Sequence, residues 1–215
     1  MIFNLMRRLF VFGDSFSENW KTDSPYSIWK GYTPKTYSEI ISEELRLECF
    51  NFSGAGWSNY DIFEAVCRNV DSIAENDIII ILWSGLNRFR LVNHQLNIWI
   101  SMQPASFKLK QKDNLIPNGI SEKTIDETIV NRNHILYKEE VQNWINLLKH
   151  TFKSNIFINS TWSDYDWGIP KITYERISDE TNDKIMDYHW SERGQYDFAQ
   201  WCISKIKTEK YVGIG

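Results

Sequence analysis

Residues 77–87 read Asp77-Ile78-Ile79-Ile80-Ile81-Leu82-Trp83-Ser84-Gly85-Leu86-Asn87. Successive side chains of a strand point to opposite faces, so an unbroken run of branched apolar residues buries both. Ser84-Gly85 ends the run in a turn. A strand covered above and below needs helices on both sides of its sheet, which places the chain in the α/β class.

The same pattern repeats outward. Leu9–Phe12 is a second apolar run, ending at Gly13; Leu47–Phe52 and Ile156–Ile158 are further strand candidates. Amphipathic segments lie between them. Thr33 as N-cap with Pro34 at the first helical position opens a helix that turns Tyr37, Ile40, Ile41 and Leu45 inward. Ser58 caps one whose face is Ile62, Phe63, Val66, Val70 and Ile73. Another runs from about Ile135 to Phe152 through Val141, Trp144, Ile145 and Leu148, and the last starts near Ser191 with Phe198, Ala199, Cys202, Ile203 and Ile206 inward. Strands alternating with helices predict a parallel sheet, with the reactive loops at the carboxyl ends of its strands. Residues 91–133, with Pro104, Pro117, Gly119 and an apolar knot at Leu96–Ile100, read as an insertion in a single domain spanning residues 1–215.

Composition narrows the function classes. A chain of 215 residues, 42% hydrophobic and 24% charged, can build its own core and is not mainly disordered. The net charge is −4 and no basic run exceeds Arg7-Arg8, so the electrostatic footprint of a nucleic-acid binder is missing. No apolar stretch approaches the ~18 residues of a membrane span, and no membrane partner is expected. Arg7-Arg8 interrupts the apolar residues of Met1–Phe12 instead of preceding them, unlike a signal peptide. A cytoplasmic location is therefore expected, with release by lysis left open. Cys49, Cys67 and Cys202 form no CxxC pair, and there is no H-E-x-x-H, so neither a metal nor a cofactor is expected.

Four segments carry residues suited to chemistry. Gly13-Asp14-Ser15 ends the first strand and sets a serine where the sheet opens to solvent; alone, it is equally a turn cap. A serine hydroxyl needs an imidazole to take its proton and a third group to orient the imidazole. Of His94, His134, His150 and His189, the last stands apart. It lies in Asp187-Tyr188-His189-Trp190-Ser191, before the last helix, where Asp187 can reach the ring and fix its tautomer. Asn51–Ser58 ends the second strand and opens a helix, so its backbone amides can face an anion. Asn87, after the 78–83 strand, offers a side-chain amide as an oxyanion donor, or serves simply as a turn residue.

The order of these segments — G-D-S near the start, a glycine after strand two, G-x-N after strand three, Asp and His before the last helix — resembles the SGNH hydrolase superfamily, also called GDSL esterases/lipases. The resemblance covers nearly the whole chain. It implies a flavodoxin-like, three-layer α/β/α sandwich with about five parallel strands. By position, Ser15 matches the nucleophile, His189 the base and Asp187 its partner. The oxyanion hole would comprise the Ser15 and Gly56 backbone amides, with Gly54 as the less favoured register, and the Asn87 side chain. Two departures stand out. The third block usually reads G-x-N-D, but Arg88 follows Asn87, so the packing and charge beside the site must differ. The last block often reads D-x-x-H, but only Tyr188 separates Asp187 from His189.

The implied activity is hydrolysis of small acyl esters. The aromatic share of 15% is high. Trp20, Tyr26, Trp29 and Tyr32 follow the nucleophile segment, Trp57 follows Gly56, and Trp162, Tyr165 and Trp167 follow the Ile156–Ile158 strand. Flat rings among Asp and Asn residues suit sugar faces, so Trp20, Trp57, Arg88, Trp162 and Trp190 are candidate substrate-binding residues, and an O-acetylated carbohydrate is a candidate substrate. The same residues would serve a carbohydrate O-acyltransferase. A non-catalytic carbohydrate-binding protein on a degenerate hydrolase scaffold is the alternative from another class.

Overall fold

The computed structural model describes residues 7–103, 107–117, 119–130 and 134–212. Its strands are β1 (Arg8–Gly13), β2 (Glu48–Ser53), β3 (Ile78–Trp83), β4 (Phe89–Asn93), β5 (Ile98–Met102) and β6 (Ile156–Thr161). Its helices are α1 (Pro25–Lys30), α2 (Tyr37–Leu45), α3 (Asn59–Asn69), α4 (Phe107–Lys112), α5 (Glu122–Val130), α6 (His134–Thr151), α7 (Ile177–Glu180) and α8 (Glu192–Val212). The main sheet is wholly parallel, in the order β2-β1-β3-β6.

The alternation of β1 and β3 builds the layers. Leu9, Val11, Ile78, Ile80 and Leu82 face one side, where Tyr37 and Ile41 of α2 and Phe198, Cys202, Ile203 and Ile206 of α8 cover them. Phe10, Phe12, Ile79, Ile81 and Trp83 face the other, under Ile62 and Val66 of α3 and Val141, Ile145 and Leu148 of α6. All six residues of β3 are buried. Each side chain so removed from water contributes roughly 1.5–3 kcal/mol. The result is the expected α/β/α sandwich.

Four parallel strands form the sheet where the resemblance implies about five. At the outer edge of β6 the chain makes one parallel bridge, Thr161 to Lys171. Thr161 N donates to Pro170 O (3.0 Å) and Ile172 N to Thr161 O (2.8 Å). Pro170 has no N–H to extend a ladder, and the bridge stands where a fifth strand would run.

Two helix starts also differ from expectation. The α2 N-cap is Thr36, not Thr33: the Glu39 carboxylate reaches back to the Thr36 N–H (2.8 Å) and completes a capping box. α1 lies in a stretch to which the sequence pattern assigns no element; Ser24 Oγ accepts from Ser27 N (3.1 Å) and Pro25 opens the helix.

The described residues between 89 and 130, which begin two residues before the stretch 91–133 read as an insertion, hold the antiparallel β4–β5 hairpin, α4 and α5, around a small core of Phe89, Ile100, Met102, Phe107, Ile116 and Ile125. Pro104 and residues 131–133 of that insertion lie outside the described residues. Among the described residues no helix is long and apolar enough to cross a membrane.

Candidate active site

β1 delivers Ser15 to the carboxyl edge of the sheet, and a dense set of bonds holds the turn that follows. Asp14 is fully buried; its Oδ1 accepts from Phe16 N (3.0 Å) and its Oδ2 from Trp162 Nε1 (2.8 Å). Ser17 N donates to Asp14 O (2.9 Å), and Ser17 O accepts from Asn51 Nδ2 (2.7 Å). From α8, Gln195 Nε2 donates to Phe16 O (3.2 Å) while its Oε1 accepts from Tyr37 N (3.0 Å). A side chain at Gly13 would run into Ser17 Oγ, which explains the glycine before the turn. Ser15 thus sits, half-buried, on a backbone with little freedom.

The opposing loop is pinned as firmly. Ile177 N donates to His189 O, Ser178 N to Asp187 O and Ser191 N to Glu175 O, each at 2.9 Å. Phe16 packs against the His189 ring, with centroids 4.8 Å apart. His189 Nε2 lies 2.7 Å from Ser15 Oγ, and His189 Nδ1 lies 2.5 Å from Asp187 Oδ1. A carboxylate only accepts, so Nδ1 carries the ring proton and Nε2 is left to accept the Ser15 hydroxyl. Burial works to raise the Asp187 carboxyl, but the hydrogen bonds and charge of His189 outweigh it and hold the group below the usual carboxylate range. Ser15, His189 and Asp187 form one hydrogen-bonded chain.

Two further loops border Ser15. After β2, Trp57 N closes a turn onto Gly54 O (3.2 Å), with Gly56 at φ 76°, a left-handed conformation that glycine adopts without strain. After β3, Arg88 N closes a turn onto Gly85 O (3.4 Å). Asn87 is exposed on that turn, its Oδ1 folded back toward Gly85. Among the described residues, the Ser15 and Gly56 N–H groups and the Asn87 amide have no hydrogen-bond partner in the protein. Arg88 turns inward instead and is 5% exposed. Its Nη1 pairs with Asp14 Oδ2 (2.9 Å) and donates to Trp57 O (3.3 Å), and its Nη2 donates to Ser15 Oγ (3.2 Å).

No family model matches the chain, and no curated protein matches it. Solved structures do. The chain is similar over 95% of its length to the lipase/acylhydrolase from Enterococcus faecalis, covering 97% of that chain at 12% identity with a TM-score of 0.47. It is similar over 93% of its length to a G-D-S-L family protein from Desulfitobacterium hafniense, covering 98% of that chain at 12% identity with a TM-score of 0.39.

The aromatic residues divide. Trp190 is 2% exposed, packed against Phe16, Tyr174 and Phe198, and belongs to the core rather than to a substrate surface. Trp162 stacks on Phe16 (4.3 Å between centroids) and spends its N–H on Asp14, so it braces the Asp14–Ser17 turn. Trp20 packs against Tyr26, its Nε1 buried. Tyr26 and Trp167 are buried too. Trp57 lines a groove of about 500 Å³ between α3 and the hairpin. The groove is also lined by Asp61, Glu64, Asn69, Arg90 and Trp99.

Sequence reasoning missed Asp14, Gln195 and Asn59. Asn59 is fully buried at the head of α3; its Oδ1 accepts from Ser84 N (2.7 Å) and its Nδ2 donates to Ser84 O (3.3 Å), fixing the exit of β3. The only sequence signal for the buried Asp14 pair was the unusual Arg88.

Proposed function

We propose that the protein is a serine hydrolase of small acyl esters. The observation that carries this is the unbroken chain from Ser15 Oγ through His189 to Asp187, at 2.7 and 2.5 Å. Ser15 Oγ attacks the ester carbonyl and its proton passes to His189 Nε2. Asp187 holds the ring and stabilises the imidazolium. The carbonyl oxygen takes the negative charge and meets the N–H groups of Ser15 and Gly56 and the Asn87 amide; each such donor is worth about 10²–10³ in rate. Collapse of the intermediate expels the alcohol, which takes the proton from His189. Water then repeats the cycle and frees the acid.

The alcohol half of the substrate is a carbohydrate in this reading. Support comes from the groove: two indoles, Trp57 and Trp99, line it beside polar groups whose charges offset each other, with Arg90 paired to Asp61 (2.7 Å) and Glu64 (2.5 Å) and Arg68 paired to Glu64. Flat apolar plates beside paired donors and acceptors suit an uncharged polyhydroxylated ligand.

The test is an ester panel from acetyl to octanoyl, including acetylated sugars, run beside Ser15→Ala, with fluorophosphonate labelling of both. Hydrolysis and labelling that depend on Ser15 are expected. Wild-type protein that neither hydrolyses any ester nor takes the label overturns the reading and leaves a binding protein. Acyl transfer to an added sugar in preference to water assigns the same chemistry to a transferase.

A further inference from the structure

The contact between Arg88 and Ser15 is not used by the mechanism above. A guanidinium this buried must be paired, and Asp14 pairs it. Asp14 is itself held by Phe16 N and Trp162 Nε1, and the indole of Trp162 lies 5.3 Å below the guanidinium carbon. Nη1 is thereby committed to Asp14 and to Trp57 O, which aims Nη2 at Ser15 Oγ, 3.2 Å away. A hydroxyl has one proton and two lone pairs. The Ser15 proton faces His189, one lone pair faces Arg88, and the second is left to attack.

We propose that Arg88 is a catalytic residue that supplies a charged donor beside the three uncharged ones. This rests on the serine-hydrolase reading of the site. As the Oγ–carbon bond forms and the carbonyl π bond breaks, the electron pair ends on the carbonyl oxygen and the Ser15 proton on His189. The guanidinium, already on Oγ, faces this charge throughout. On collapse, the carbonyl re-forms, the bond to the leaving alkoxide breaks and His189 protonates that alkoxide. Asp14 is a positioning residue: it holds the guanidinium and offsets its charge, without touching the reacting atoms. The planar fork of an arginine can bond Asp14 and Ser15 together, which a lysine ammonium cannot do with the same geometry.

The experiment compares wild type, Ser15→Ala, Arg88→Ala and Arg88→Lys on an activated acetyl ester, with and without millimolar ethylguanidinium, alongside fluorophosphonate labelling. Arg88→Ala should lose about 10²–10³ in kcat with KM within about threefold. Ethylguanidinium should restore at least about tenfold of that loss in Arg88→Ala and nothing in Ser15→Ala. Arg88→Lys should recover little. Should Arg88→Ala not fold because Asp14 is left unpaired, the double variant Asp14→Asn/Arg88→Met removes both charges and should show the same kcat loss. A folded Arg88→Ala or double variant within about threefold of wild-type kcat overturns the proposal. So does a loss in Arg88→Ala that ethylguanidinium leaves untouched, which would make the arginine purely structural. A wild type that is neither labelled nor active overturns the hydrolase reading itself, whereas a labelled, active wild type matched by Arg88→Ala overturns only the role of Arg88.

Discussion

Asp187 Oδ1 accepts from both the backbone N–H and the ring Nδ1 of His189, at 2.9 and 2.5 Å. A separation of two residues suffices because the same carboxylate oxygen closes the turn and orients the ring. Asp187→Asn weakens the turn and admits the wrong ring tautomer. A loss in kcat on the order of 10³–10⁴ is expected, measured on an activated ester.

The Asp187 carboxyl lies below its ordinary value of 3.8 because its bonds to His189 outweigh the cost of burial. A depressed carboxyl favours the folded state above the unfolded value, and that contribution is lost as pH falls through the lower folded value. Wild type should therefore exceed Asp187→Asn in Tm by a constant margin above about pH 5, and the margin should shrink below about pH 4. A margin that stays flat from neutral pH to about pH 2.5 would show that this carboxyl contributes nothing through its ionisation.

Asn59→Ala removes both bonds to Ser84 and strands its buried N–H, while the Ser84 C=O keeps its bond from Trp167 Nε1 (3.1 Å). The expected cost is about 1–3 kcal/mol, read from urea unfolding. The Gly85–Asn87 turn hangs from that strand exit, so kcat should fall as well. Destabilisation under about 0.5 kcal/mol would mean that the strand end is fixed elsewhere.

Trp162→Phe keeps a ring over Phe16 but deletes the donor to Asp14. A stability loss of about 1–2 kcal/mol is expected, with KM unchanged for every ester. A selective rise in KM for sugar esters would return Trp162 to the substrate surface.

Trp99 is 64% exposed, so Trp99→Ala should leave Tm within about 1 °C. It should raise KM for acetylated sugars several-fold while sparing an activated acetyl ester. Equal KM for both substrates in wild type and variant would remove the groove from substrate recognition.

How much of this is legible in the sequence depends on what each residue needs from its surroundings. The Ile78–Leu82 run identifies the central strand because no one-sided element tolerates five such residues in a row. Ser15 and His189 are 174 residues apart, and only the order of the motifs links them. The inward turn of Arg88 is invisible, since nothing local says that a buried carboxylate waits at Asp14. The tryptophans look alike in sequence; whether one packs or faces a ligand depends on where its N–H finds an acceptor, as Trp162 does on Asp14. Thr33 and Thr36 are equally good caps by residue type, and the Glu39 carboxylate decides between them.

The hairpin with α4 and α5 encloses apolar residues that satisfy one another, Phe89 and Met102 among them. A segment that packs its own apolar core asks little of its host beyond the polar bonds that Arg90 and Ser101 make to Asp61 and Glu64 of α3. Its outward face, with Ile98 and Trp99 on the groove, is therefore free to drift or be exchanged while the central ribbon and its serine stay constant. On the proposed reading of the groove, recombining this segment alone should change selectivity on an unchanged chassis.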